Sequence, residues 1–137
     1  MSIGHIFAQC SKNKLAKHCS ESLDGYFYDG AVTEKIKLDT VPSIYDFEFI
    51  AFSGQDMKLI FCASEPYNVE VNIYNKPKTS KKREIIYSST EDKNEIKIWQ
   101  FNVARTERYF IEYFVPANNE SSKKSICFSM IIGFKGD

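Results

Sequence analysis

Cys10, Cys19, Cys62 and Cys127 are the residues of this 137-residue chain whose type and spacing most directly suggest chemistry. Four cysteines admit three pairings, and each would staple different segments together. Cys10 and Cys19 bracket the short stretch CSKNKLAKHC, whereas Cys62 and Cys127 lie in separate strand-like runs. In an oxidising compartment this spacing predicts Cys10 with Cys19 and Cys62 with Cys127. The second bridge would close a long loop and restrict the unfolded chain by roughly 4 kcal/mol in the entropic account. In a reducing compartment all four are thiols, with Cys62 and Cys127 packing as small hydrophobes. Zinc is a competing use, with His18 beside Cys19, but no Cys-x-x-Cys pair exists and no metal site is expected.

Acid–base chemistry has few carriers. The only histidines, His5 and His18, lie ahead of the strand-rich region, so a Ser-His-Asp arrangement would have to be built on His18. Asp46 and Glu48 alternate with aromatic residues and read as a solvated strand face, and Glu91-Asp92 reads as a turn. No Gly-rich loop precedes a helix, so phosphate cradles are absent and no cofactor is expected. The chain is expected not to be an enzyme.

Binding chemistry is better represented. Tyr26 and Tyr28 in GYFYDG, with Tyr67 and Tyr74, are candidate platforms for a sugar ring; Tyr45 and Trp99 are weaker ones. The competing reading is strand packing with the hydroxyl at the rim. Trp99 shares its alternation phase with Lys97, Phe101 and Val103, which points to the core. The segment KPKTSKKR holds five basic residues in eight positions. It lacks the interleaved aromatics that stack nucleic-acid bases, and it reads as a charged hairpin loop. With 18 basic and 18 acidic residues the net charge is zero, so no global field draws the chain to nucleic acid or anionic lipid. The expected partner is a glycan or another extracellular protein.

These residues must be positioned by strands. Period-2 alternation recurs in EKIKL, YDFEFIAF, MKLIFCA, VEVNIYN, EIIYSS, IKIWQFNV, RYFIEYFV and SICFSMIIGF, with polar turn signals between them. Only residues 11–20 look helical. About eight strands with no crossover helices predict an all-β, antiparallel β-sandwich of jelly-roll type with a short N-terminal helix. Residues 1–24 form an N-terminal extension and residues 25–137 the sandwich domain. RYFIEYFV, apolar on both faces, should lie centrally or under a cover, for which the N-terminal helix is the candidate. Ser53-Gly54-Gln55 should be a tight corner, with Gly54 in a conformation a side chain would oppose.

Export is expected. IFAQ before Cys10 reads as the small-residue end of an export signal behind a short leader. No apolar run reaches the roughly 18 residues of a membrane-spanning helix. The predicted location is secreted or periplasmic. Asp39-Thr40-Val41 and Asn119-Glu120-Ser121 match short glycosylation acceptor patterns.

The order YDFEFIAFSGQDMKLIFCAS, VEVNIYNK, IIYSS, IWQFNVARTERYFIEYFV and SICFSMIIGF, over roughly residues 43–134, resembles bacterial pre-peptidase C-terminal domains. These are small jelly-roll-like β-sandwiches appended to secreted enzymes. The chain departs from their Asp-rich strand, where Asn68 to Asn75 stand instead, and carries a cysteine-bearing extension. Those departures make it also similar to small cysteine-containing exported bacterial proteins of unassigned function. The resemblance implies a non-catalytic exported accessory or interaction module. A carbohydrate-binding module using exposed aromatics is the alternative.

Overall fold

The computed structural model describes residues 15, 17, 19–65, 67–119 and 124–135. They form eight strands: β1 (Phe27–Leu38), β2 (Ser43–Ala51), β3 (Asp56–Ala63), β4 (Glu70–Tyr74), β5 (Ile85–Ser88), β6 (Lys97–Asn102), β7 (Glu107–Val115) and β8 (Lys124–Lys135). Every run expected to be a strand overlaps one of these, to within a residue at most ends, although β1 begins at Phe27, seven positions before the predicted EKIKL. One sheet has the order β1-β8-β3-β6 and the other β2-β7-β4-β5. All pairings are antiparallel. Apart from the β4–β5 hairpin, each connection crosses from one sheet to the other. This is the jelly-roll strand order.

Alternation decides what lies between the sheets. Tyr45, Phe47 and Phe49 of β2 pack against the core, while Asp46 and Glu48 are exposed on the outer face. On β7, Tyr109, Ile111, Tyr113 and Val115 are buried. β7 sits between β2 and β4, so a strand apolar on both faces does lie centrally. Trp99 and Phe101 stack with ring centroids 3.8 Å apart at the margin of the same core, as the phase of β6 predicted. Fully burying side chains such as Phe61, Leu59 and Ile111 stabilises the fold by about 1.5–3 kcal/mol each.

The N-terminal segment covers the other sheet. Leu15, Lys17 and Cys19 are helical and run into a 3-10 turn, Ser20–Leu23. Leu15, Cys19 and Leu23 pack on Ile60, Cys62 and Ile131, which point away from the sandwich. β3 is therefore buried on both faces. Gly133 lies directly beneath Leu23, and a Cβ there would require the Leu23 side chain to shift.

The cysteine pairing differs from expectation. Cys19 is bonded to Cys62, with Cα atoms 6.6 Å apart. Cys127 is also disulfide-bonded, and Cys10 lies outside the described residues. The predicted Cys62–Cys127 bridge fails on register. Cys62 stands opposite Ser129, so Cys127 is its diagonal neighbour across the ladder. Diagonal positions lie roughly 7–8 Å apart, past ordinary disulfide reach. With Cys19 oxidised, the expected Cys10–Cys19 loop and the competing zinc and free-thiol readings are also excluded.

Ser53-Gly54-Gln55 is the corner that carries the chain between sheets. Gly54 has φ +88°, its N–H donates to the Val103 carbonyl (2.9 Å), and the Val103 N–H donates to the Gln55 carbonyl (2.9 Å). A left-handed residue is needed here, and glycine adopts that conformation at little steric cost.

Candidate functional site

Register brings the start of β1, the end of β2, the start of β3 and the end of β8 to one end of the sandwich. Phe27 pairs with Phe134, and Phe134 with Met57. β2 closes beside β7 at Ala51, and Phe52 follows it into the Gly54 corner. Three aromatic side chains at this end face solvent: Phe27 is 65% exposed, Phe52 62% and Tyr28 54%. Phe27 leans on Phe134, with ring centroids 5.7 Å apart. Large exposed aromatic side chains on a rigid frame are common anchors of protein interfaces.

The frame under them is well held. Lys58 is buried, and its Nζ donates to the Leu23 carbonyl at 3.3 Å, at the close of the 3-10 turn. Lys58 Nζ (5.2 Å) and Lys135 Nζ (4.8 Å) both lie over the Tyr26 ring. Asp24 and Gly25 both adopt positive φ and turn the chain sharply into β1. An open groove lined by Lys17, Ser20, Leu23, Tyr26 and Tyr28 runs along this turn.

Of the four tyrosines expected as platforms, Tyr26 and Tyr28 are thus brought together, and Tyr67 and Tyr74 are placed elsewhere. Tyr67 lies at the opposite end, where its hydroxyl donates to the Pro116 carbonyl at 2.8 Å and its ring packs on the core. Tyr74 lies on the outer face of the second sheet, beneath the Arg83 guanidinium at 3.6 Å from its ring centroid. Arg83 also pairs with Glu112 at 3.7 Å. The basic segment 76–83 lies in the β4–β5 connection, the hairpin loop its composition suggested, and its arginine is folded onto the sheet. Tyr45 is half-buried, and its hydroxyl accepts the Lys37 N–H at 3.2 Å.

Phe27 and Phe52 escaped the sequence reading. Phe52 carried a usable signal, because its even-numbered phase matches Ile44, Asp46, Glu48 and Ile50 on the solvent face of the same run. Phe27 carried none, because the register shift between Tyr28 and Gly30 breaks the alternation there.

The carboxylate pairs occupy the positions the sequence suggested. Asp46 and Glu48 are exposed, and Asp92 belongs to a turn, with its carboxylate accepting the Asn94 N–H at 2.9 Å. His5 and His18 lie outside the described residues. Among those residues no group of three metal-ligating side chains converges, and no helix is long and apolar enough to cross a membrane.

No family model matches the chain, and none supports the resemblance to pre-peptidase C-terminal domains. No curated protein matches either. Among solved structures the chain is similar to a periplasmic lysozyme inhibitor from Aeromonas hydrophila, directed at g-type lysozyme. The TM-score is 0.50 at 14% identity, over 81% of this chain and 89% of that one. The likeness is one of fold.

Proposed function

We propose that this chain is an exported, non-catalytic β-sandwich that works by docking a second extracellular protein through its aromatic end. The observation that carries this reading is that Phe27, Tyr28 and Phe52 are each left exposed at the same end of a frame pinned by the Cys19–Cys62 bridge. Large apolar side chains left in water at one place cost solubility, and an interface that buries them recovers that cost. Disulfides persist in oxidising compartments, which favours a secreted or periplasmic location. A fold shared with a periplasmic inhibitor is in keeping with both points.

The carbohydrate reading is the weaker one, because it needs free, flat rings. Tyr26 has two ammonium groups over its ring, Tyr74 is covered by Arg83, and Tyr67 is packed against the core, which leaves Tyr28.

Biolayer interferometry against a g-type lysozyme and a panel of other secreted proteins, run beside a glycan array, tests the proposal. The expected result is saturable binding to a protein, weakened at least about tenfold in a Phe27→Ser, Phe52→Ser double variant of unchanged melting temperature. Glycan binding lost on Tyr28→Ala, or protein binding indifferent to the double variant, would replace it.

A further inference from the structure

The two sheets have four edge strands, and three carry recognisable guards against pairing with another chain. β1 has a register shift between Tyr28 and Gly30, presents Lys35 and Lys37, and has its Lys37 N–H occupied by the Tyr45 hydroxyl. β5 is four residues long and irregular in register. β6 is six residues long. Short edges, bulges and lysines are the usual protections.

β2 has neither a short edge, a bulge nor a lysine, and its only charged side chains are Asp46 and Glu48. Its nine residues pair with β7 in an unbroken register from Ser43–Val115 to Ala51–Glu107, and it contains no proline, glycine or lysine. No loop or side chain among the described residues hydrogen-bonds to its open side. Ile44 and Ile50 are 49% and 46% exposed, and between them Asp46 and Glu48 point to solvent. Glu112, opposite Asp46, has Arg83 as its ion-pair partner, whereas Asp46 and Glu48 have none among the described residues.

We propose that the open edge of β2 is a strand-docking site, and that its occupant is an extended segment of a partner protein carrying Lys or Arg at alternate positions. Backbone pairing would supply the affinity. Two cations spaced by two residues would lie beside Asp46 and Glu48, between the apolar contacts of Ile44 and Ile50. The same carboxylates disfavour a second copy of this chain in the fully overlapped register, because β2 paired with itself about Phe47 sets Asp46 opposite Glu48 of the other copy. The β2 edge meets the aromatic end where Ile50 adjoins Phe52, so the Asp46/Glu48 variant and the Phe27/Phe52 variant are what tell the two proposals apart.

The test uses the whole oxidised chain and a fluorescein-labelled peptide as long as β2, in which Lys and Val alternate. A Glu–Val peptide of the same length and a peptide with its lysines clustered serve as comparisons. Anisotropy should report saturable binding of the alternating Lys peptide at least about tenfold tighter than either comparison. An Asp46→Lys, Glu48→Lys variant should invert the preference between the Lys and Glu peptides. Amide exchange should slow along residues 43–51 when the Lys peptide is bound. Binding without protection of that edge, equal affinity for the clustered peptide, or a dimer formed through β2 without peptide would overturn the proposal.

Discussion

Glu34 shows how one residue feels the whole sandwich. It shares the inward phase of β1 with Ile36 and Leu38, yet it is a carboxylate and only half-buried. Burial pushes its pKa up, and the negative charge of Asp46 pushes it further the same way. The Tyr113 hydroxyl, buried without a hydrogen-bond partner among the described residues, is held well above its ordinary value by burial and then by Glu34. A raised carboxyl pKa means that the folded chain binds this proton more tightly than the unfolded chain does. Stability from this group is therefore present at low pH and is lost as pH rises from the ordinary carboxylate range through the raised value. Glu34→Gln should raise the urea midpoint at about pH 7 and leave it nearly unchanged at about pH 3.5. A midpoint lowered at neutral pH would show that Glu34 makes a compensating contact.

At the scale of the element, the N-terminal segment is held by one bridge and one glycine. The Cys19–Cys62 disulfide spans 43 residues, for which loop-closure entropy contributes roughly 4 kcal/mol. Cys19→Ser with Cys62→Ser should lose about that much in chemical denaturation. The pair should also expose Ile60 and Ile131, detectable as faster amide exchange in β3 and β8. Gly133 bears on the same contact from the strand side, since any side chain there displaces Leu23. The sequence located Cys62 on the right strand and even indicated its face, because Leu59 and Phe61 share one phase and Ile60 and Cys62 the other. It carried no information on which element would lie over that second face.

The whole molecule is a set of long-range pairings. β1 pairs with β8 along nearly the full length of both, and β2 pairs with β7 across more than fifty residues of intervening chain. Loop-closure entropy must be spent before these contacts repay it, so folding is slow for a chain of this size. Stopped-flow refolding of the disulfide-intact chain should give a main phase in the range of about milliseconds to seconds. A main phase in microseconds would mean that local structure, in place of sheet pairing, limits the rate.

Strand positions, inward phases, the central place of β7 and the Gly54 corner were all legible in the sequence, because each follows from local periodicity or from the backbone freedom of one residue. Even the all-β class followed, since period-2 runs without long helices leave few other ways to bury one face. The Cys19 partner, the exposure of Phe27, the seating of Arg83 on Tyr74 and the open edge of β2 were decided by tertiary structure alone. Each depends on which surface comes to lie against which, and that is set by register and stacking between segments far apart in the chain, where a single sequence carries no pairwise record.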